Sequence, residues 1–312
     1  MSEQNHSFVR KILVTGGAGF IGVNLVRRLL EAGSQVRVLD DLSAGTATNI
    51  EAIGTDVEIM EGTISDAVTV SRAAEGTDAI VHLAAQSGVA GSVESPQSDF
   101  RINVLGTFNV AQAARGVTSG RVVFASSGAA VGDAPQPLNA KSVPRPTSPY
   151  GASKLYGEAI LQAYEVFGVH AVSLRFSNVY GPWSSHKSSV IATFVKAALR
   201  ADPITVYGDG NQVRDFVYVG DIVKAIRRAL VSDVSGVVHL GTGRPTSVNE
   251  LATTLGSVLG VEFYPKHEPS RKGDVRQSFV STEEASNNLG WRAEVPLDEG
   301  LTRTAEWFRS TI

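Results

Sequence analysis

Tyr150 and Lys154 stand four residues apart in the run YGASK. That spacing puts a phenol and an ammonium on the same side of a helix. A free phenol, with a pKa of about 10, is a poor base near neutrality. A neighbouring cation stabilises its anion, so the pair could move a proton at neutral pH. The pattern also arises by chance, and a surface tyrosine beside a solvated lysine is the plain alternative. Ser126 and Ser127 add to it. They end a predicted strand over 121–125, and ligands of open α/β sheets gather at the carboxyl ends of strands. A hydroxyl there could hydrogen-bond the substrate oxygen that Tyr150 deprotonates, although on its own a pair of serines more often caps a turn.

A second constellation lies near the start. Residues 15–22 read TGGAGFIG, between a predicted strand and a predicted helix. Gly16 permits a sharp turn, Gly19 lets the backbone approach a pyrophosphate, and Gly22 lets the helix lie close to the strand. The helix N-terminus offers free N–H groups to the phosphates. A glycine trio alone is a weak signal, but this context supports it. Asp40 follows the second predicted strand, 18 residues beyond Gly22, where an acid would hydrogen-bond an adenosine ribose. A carboxylate there repels a 2′-phosphate, so NAD is expected rather than NADP. The alternative is a glycine-rich turn with an ordinary aspartate at a strand end.

These groups need a scaffold. Short β-branched, apolar runs predict strands at Lys11–Thr15, 35–39, 57–60, 79–83, 121–125 and 171–176. Their nearly continuous apolar character suits a parallel sheet covered on both faces. Helical patterns fall between them: Phe20–Glu31, with Ile21, Leu25, Val26 and Leu29 on one stripe, then 100–114 and 150–167. This alternation argues for an α/β fold with a doubly wound parallel sheet. Beyond Ser177 the pattern is less regular. It predicts helices at 188–200, 221–230 and Val248–Leu259, and strands at 204–207, 216–219 and 237–240, as a smaller C-terminal lobe. Residues 133–149 carry five prolines. A loop that long is functional or disordered, and its place between Ser127 and Tyr150 favours function.

Composition bounds the rest. A chain of 312 residues allows two domains or one large α/β unit. Its 28 basic and 31 acidic side chains give a net charge of −3 with no block of like charges. That argues against a dedicated nucleic-acid or anionic-membrane binder. Cysteine is absent, which excludes disulfides, thiolate nucleophiles and cysteine metal sites. No metal site is expected. The polar start and the glycine-broken run after Ile12 make a poor export signal, and no run of roughly 18 apolar residues exists. A soluble cytoplasmic protein is expected.

With these motifs in view, the chain resembles the extended short-chain dehydrogenase/reductase family, and within it the NAD-dependent nucleotide-sugar epimerases and dehydratases. The likeness covers almost the whole chain. It runs through TGGAGFIG (15–22), HLAA (82–85), NVLGT (103–107), SSGAAVGD (126–133), YGASK (150–154) and RFSNVYGP (175–182). It continues through GDGNQVRDFVYVGD (208–221), GTGRPTSVNELA (241–252) and RKGDVRQS (271–278). The resemblance implies a Rossmann NAD-binding domain over 8–177, rejoined by about 214–245, and a nucleotide-sugar-binding lobe over 178–312. It implies catalytic roles for Ser127, Tyr150 and Lys154. Around NAD it implies Gly16, Gly19, Phe20, Ile21, Gly22, Asp40, Ser43, Gly45, Thr63, Ile64, Leu83, Ala84, Ala85 and Asn103, together with Tyr150 and Lys154. Asn103 would belong to the shell that positions Lys154.

For the substrate the resemblance implies Ser92, Ser127, Asn178, Val190, Thr205, Tyr207, Arg214, Arg271 and Asp274. Asn178 and the two arginines would hold the pyrophosphate, and Tyr207 would pack on the base. Arginine forks suit phosphate oxygens, and an aromatic face suits a base. Read without the resemblance, Arg214 and Arg271 could instead form surface ion pairs with Asp215 and Asp274. Three residues depart from the family pattern. Thr63 stands where an aspartate often touches the adenine. Ala130-Val131-Gly132 stands where Val-Tyr-Gly is common. Ser278 stands where a bulkier residue often limits the sugar pocket, and it leaves room for a 2-acetamido group.

The expected reaction is inversion at C4 of a UDP-hexose or UDP-hexuronate. Tyr150 would take the O4 proton as hydride leaves C4. The 4-keto sugar would turn over, and hydride would return to the opposite face. A 4,6-dehydratase of the same family needs a further acid/base pair, and a uronate decarboxylase usually carries a glutamate nearby. Here Gly128 and Ala129 follow Ser127, and no carboxylate appears before Asp133. That favours the epimerase over both. A non-catalytic dinucleotide-binding regulator is the alternative from another class, and the intact Ser127, Tyr150 and Lys154 speak against it. His186 and Lys187, after the Gly181-Pro182 turn, could receive a C6 carboxylate, as in UDP-glucuronate. A solvated loop beside UDP-glucose is equally open, and a dTDP sugar is not excluded. Family members commonly pair through the helices at 100–114 and 150–167, so a homodimer is expected, although the same apolar stripes could simply cover the sheet.

Overall fold

A computed structural model describes residues 11–45, 47–270 and 275–311. Six strands open the main sheet: β1 (Lys11–Thr15), β2 (Gln35–Asp40), β3 (Glu58–Glu61), β4 (Ala79–His82), β5 (Arg121–Ser127) and β6 (His170–Phe176). A seventh, Gly236–Leu240, joins far along the chain. Their order is Gly236–Leu240, β6, β5, β4, β1, β2, β3, and every pairing is parallel. This is a doubly wound Rossmann-type sheet. The order reverses between β1 and β4, where Thr15 pairs with His82. Ligands bind outside the carboxyl ends of strands at such a reversal.

The strands form because their residues are buried from both sides. Leu13, Val14, Ile80, Val81, Val122, Val172 and Leu174 have almost no exposure. The helix Phe20–Glu31 covers one face through Phe20, Val23, Leu25, Val26 and Leu29. Ile21, expected on that stripe, is only half-buried, and Phe20 and Val23 take the inner positions. The helix expected over 100–114 begins with a π-helical stretch, Phe100–Leu105, and becomes α-helical at Gly106–Ala114. That over 150–167 is α-helical at Pro149–Ala163 and tightens to a 3-10 turn at Tyr164–Phe167.

The C-terminal region adds small strand pairings. Asn178–Tyr180 pairs with Phe216–Tyr218, and Thr205–Tyr207 with Lys266–Glu268. Val213–Arg214 lies between Thr246–Ser247 and Gln277–Ser278. The proline-rich loop is tied to this region. Leu138 is buried with Val131 and Val280, its N–H donates to the Phe279 carbonyl at 2.9 Å, and its carbonyl accepts from Ser281 N–H at 2.8 Å. Among the described residues, no helix is long and apolar enough to cross a membrane.

Candidate active site

The turn from β1 into the Phe20–Glu31 helix leaves no room for side chains. Gly16 has φ +72°, and a Cβ there would lie 2.6 Å from the Ala84 nitrogen. At Gly22 a Cβ would meet the Gly16 carbonyl oxygen at 2.2 Å. Gly19 differs, since a Cβ would meet only the Gly16 carbonyl, at 3.3 Å, leaving its outer side open. Gly19 precedes the helix and brings no side chain to cap it. The first-turn N–H groups are thus left for an anion.

Asp40, at the end of β2, underlies this loop. Its carboxylate accepts from Ala18 N–H and Leu42 N–H, both at 2.9 Å. Burial pushes its pKa above the usual carboxylate value. Two oxygens still have lone pairs for a ribose hydroxyl. Ser43 bonds through both N–H and Oγ to Asp41 Oδ1. Gly45 lies against Ala18, where a Cβ would come within 3.0 Å. Thr63 Oγ1 accepts from Ser65 N–H at 3.2 Å, and the carbonyl of buried Ile64 takes the Asn109 amide at 3.0 Å.

A hydrogen-bonded chain runs from this loop under the sheet's edge. Thr107 donates to the Asn103 carbonyl at 2.6 Å, so its oxygen accepts from His82 Nε2–H at 3.0 Å. His82 Nδ1 then accepts from the Thr15 hydroxyl at 2.7 Å, and Thr15 Oγ1 accepts from Ala84 N–H at 3.3 Å. Burial holds the His82 pKa down at about 3, so the ring stays neutral and keeps this tautomer. Leu83 N–H continues the edge to the Thr15 carbonyl at 3.0 Å. The Asn103 side chain accepts from Gln86 N–H at 2.9 Å and donates to the Gln86 carbonyl, to Asp99 Oδ1 and to Ser153 Oγ. It therefore meets the residue before Lys154 and holds Asp99, whose charge acts on Lys154.

The catalytic candidates meet where β5 ends. Ser148 caps the Pro149–Ala163 helix by accepting from Gly151 N–H at 3.1 Å, and Pro149 takes the first turn. A Cβ at Gly151 would sit 2.3 Å from the Ala129 carbonyl oxygen, so only glycine lets the helix start this close to Ser127. The Ser127 hydroxyl lies close enough to the Tyr150 phenol to favour its anion, and its oxygen accepts from Ala129 N–H at 3.1 Å. The Lys154 ammonium donates to the Ala125 carbonyl at 2.9 Å.

The spacing of Tyr150 and Lys154 predicts an ammonium that lowers the Tyr150 pKa. Instead burial pushes the phenol up to about 12; the Ser127 hydroxyl opposes this, and the Asp99 charge adds to it. Lys154 itself is pushed down to about 8, chiefly by burial and also by Lys187, against the favourable charges of Asp99 and Glu158.

The substrate candidates are spread more widely. Ser92 is fully buried, and its hydroxyl donates to the Val89 carbonyl at 2.7 Å. Val190 opens the Val190–Arg200 helix, and Thr205 and Tyr207 bound one short strand, with Tyr207 exposed at its end. Asn178 N–H donates to the Asp215 carbonyl at 2.9 Å. Arg214 Nη1 donates to the Val213 carbonyl at 2.8 Å. The Asp215 carboxylate is buried and accepts from Thr242 N–H, Thr242 Oγ1–H and Gly243 N–H at 2.7–2.9 Å. It works as an internal brace rather than a surface ion. Arg271 and Asp274 lie outside the described residues. Ser278 pairs with Arg214 across the strands, and its Oγ is 3.9 Å from where a Gly128 Cβ would lie. The structure thus brings Ser278 beside the residue after Ser127.

The 183–187 segment is fastened on several sides. The Pro182 carbonyl accepts from Asn24 Nδ2 at 3.1 Å. Trp183, at φ 70°, packs between Arg27 and Trp307. Lys196 donates to the carbonyls of Ser185 and Lys187, both at 3.1 Å. Lys187 Nζ reaches across to Ser87 Oγ at 2.7 Å. His186 Nδ1 is buried and has no partner among the described residues.

Known proteins resemble this chain in sequence and fold. The model of the NAD dependent epimerase/dehydratase family matches residues 12–241. The chain belongs to that family. A UDP-glucose 4-epimerase of Mycolicibacterium smegmatis is 38% identical over 309 residues, covering 96% of this chain and 99% of its own. The Thermotoga maritima UDP-glucose 4-epimerase, solved with UDP-glucose, is 37% identical with a TM-score of 0.91, covering 96% and 99%. A Bacillus cereus UDP-glucuronic acid 4-epimerase, solved as a variant with NAD and a fluorinated UDP-glucuronic acid, is 27% identical with a TM-score of 0.91, covering 97% and 100%.

As a member of this family the protein uses NAD, and the glycine cradle fits it. Several residues of this epimerase/dehydratase escaped the sequence reading. Asp99 and Glu158 act on Lys154 by charge, Gln86 is held by Asn103, and Ser87 meets Lys187. Glu158 alone carried a signal, standing one helical turn after Lys154 on the same face. Asp99, Gln86 and Ser87 lie on short turns with no periodicity to mark them.

Proposed function

We propose that this protein is an NAD-dependent 4-epimerase of UDP-sugars, inverting C4 of a UDP-hexose or UDP-hexuronate. The observation that carries the reading is that Tyr150 and Ser127 act on one another at the end of β5, with Lys154 anchored on the Ala125 carbonyl, next to the glycine cradle, and with no carboxylate in the Gly128–Ala130 turn that follows. Ser127 and Tyr150 would bind the sugar O4 between them. Tyr150 takes the O4 proton and later gives it back, while Ser127 keeps the oxygen oriented. NAD, when bound, supplies hydride acceptance and return at C4. Lys154 keeps positive charge beneath the phenol. A 4,6-dehydratase would need acid and base groups that the Gly128–Ala130 turn lacks. The nucleotide would lie against the 178–312 portion, through Asn178, Tyr207, Arg214 and Arg271, and the cofactor against 8–177 with 214–245. The strand Gly236–Leu240 in the main sheet supports this division.

The 27% likeness to a UDP-glucuronic acid epimerase keeps the hexuronate reading beside the hexose one. The Lys187 amine at Ser87 and the unpartnered His186 nitrogen support it. We also propose a homodimer. Phe100, Leu105, Val166 and Phe167 are 62%, 40%, 82% and 54% exposed on the two segments expected to pair. A monomer in sedimentation at micromolar concentration would overturn that.

The activity is tested by incubating the purified protein, without added NAD, with UDP-glucose and with UDP-glucuronate, and resolving products by NMR. A C4-inverted product is expected from at least one. A 4-keto-6-deoxy or decarboxylated product, or no reaction with either, would overturn the reading.

A further inference from the structure

A buried charged cluster adjoins the catalytic residues. Glu158 follows Lys154 by one turn on the Pro149–Ala163 helix. Its side chain is 5% exposed, and that of Arg175 on β6 is 6% exposed. Arg175 Nε donates to Glu158 Oε1 at 2.8 Å and Nη2 to Oε2 at 2.6 Å, a two-pronged fork. The Ser126 hydroxyl donates to the same Oε1. Arg175 Nη1 lies 3.2 Å from His239 Nε2, on Gly236–Leu240. Burial, with the Arg175 charge, takes the His239 pKa to about 3, so this nitrogen accepts. One carboxylate therefore links the catalytic helix with β5 and β6, and through Arg175 with the seventh strand.

Stability alone does not call for such a pair. Burying two charges is costly, and apolar residues of the same volume usually do as well or better. What the pair supplies is direction. Ser126 adjoins Ser127, and neighbouring strand residues point to opposite faces. Holding the Ser126 hydroxyl on Glu158 fixes the pleat that turns Ser127 outward to Tyr150. Glu158 and Lys154 share a helix face, so the same contact fixes the rotation of the helix that carries Tyr150 and Lys154.

We propose that Glu158 is a positioning residue for C4 inversion: held by Arg175, it locks Ser126 to the catalytic helix and so sets the geometry between Ser127 and the Tyr150–Lys154 pair. This rests on the epimerase reading. The charge of Glu158 has a second effect. With Asp99, from the Pro96–Asp99 turn, it favours the Lys154 ammonium, whereas burial and Lys187 oppose it.

Glu158→Gln alone would strand Arg175 in the interior and could prevent folding. The test therefore uses Ser126→Ala, which leaves the ion pair intact, and Glu158→Gln with Arg175→Met, which removes both charges. Each is studied NAD-loaded, with the UDP-sugar that the wild type inverts. Both should fold and bind UDP with wild-type affinity. In Ser126→Ala, kcat should fall several-fold. In the double variant it should fall about a hundredfold, the effect of misplacing reacting groups by about 1 Å, with KM little changed. The alkaline limb of its kcat–pH profile should move to lower pH, because Lys154 loses one of two favourable carboxylates. Wild-type kcat and alkaline limb in both folded variants would overturn the proposal. So would a loss confined to KM, or an unfolded double variant beside a Ser126→Ala enzyme of wild-type kcat. A wild-type protein that inverts neither UDP-glucose nor UDP-glucuronate would refute the epimerase reading instead.

Discussion

The Lys154 ammonium is anchored on the Ala125 carbonyl oxygen at 2.9 Å, while the centre of the Tyr150 ring is 5.8 Å away. The cation is fixed by β5, with 4% of the residue exposed. Its folded pKa of about 8 lies below the ordinary lysine value of 10.5. The unfolded chain therefore binds a proton that the folded protein has released between those pH values. Stability from this group rises with pH across that window, and below it the fold carries the full burden of a buried cation. Lys154→Met should raise the melting temperature at pH 7 by a few degrees, with the gain vanishing towards pH 10.5. Turnover should fall at least about a hundredfold. Melting curves at both pH values, beside rates, check this, and a lower Tm at pH 7 would refute it.

Tyr150 needs help to ionise, because protein surrounds its phenol and raises its pKa to about 12. The Ser127 hydroxyl is the protein's own opposing contribution. Tyr150→Phe should leave NAD bound and lower turnover at least about a hundredfold. Ser127→Ala should cost less, about tenfold to a hundredfold, and raise the Tyr150 pKa further. Single-turnover rates measure the first effect and ultraviolet titration of the phenol measures the second. Near-normal turnover in Tyr150→Phe would remove it from the mechanism.

The glycine loop separates folding from cofactor binding. A Cβ at Gly22 collides with backbone at 2.2 Å, whereas at Gly19 the nearest backbone atom is 3.3 Å away and the other side is open. Gly22→Ala should lower Tm by several degrees even without NAD. Gly19→Ala should keep a nearly wild-type Tm and weaken NAD binding by about tenfold or more, because its methyl would occupy space the pyrophosphate needs. Calorimetry for the fold and NAD titration for binding distinguish the two. Equal effects of both substitutions on Tm would contradict the assignment.

The sheet and the glycine loop were legible because each rests on local chemistry. β-branched runs such as 121–125 suit strands buried on both faces, and Gly16 and Gly22 answer to contacts a Cβ would break. Long-range pairings were not legible. Glu158 and Arg175 are 17 residues apart on different elements, and nothing local marks either as buried. Asn103 is expected in the shell around Lys154, but its particular partners there, Ser153 Oγ and Asp99 Oδ1, had no local mark in the sequence. Asp215 was considered as a surface partner for Arg214, yet the fold turns its carboxylate inward to Thr242 and Gly243. The lowering of the Tyr150 pKa was argued from a charge alone, and burial outweighed it.

Lys187 bears on the choice of sugar. Its amine donates to Ser87, and the groups that act on the adjoining His186 are cations, Lys187 and Lys196. Burial holds Lys187 below its ordinary pKa, so an anion arriving beside it would be stabilised by charge and would raise that pKa. A hexuronate brings a carboxylate, whereas a hexose brings a hydroxyl. The UDP portion is common to both and cancels in a comparison of the two. Lys187→Met should therefore lower the ratio of kcat/KM for UDP-glucuronate to that for UDP-glucose by about tenfold or more, as loss of a charged contact implies. Parallel rates with both sugars measure it. An unchanged ratio would mean that Lys187 serves the loop, or the shared diphosphate, and would leave UDP-glucose as the better-supported substrate.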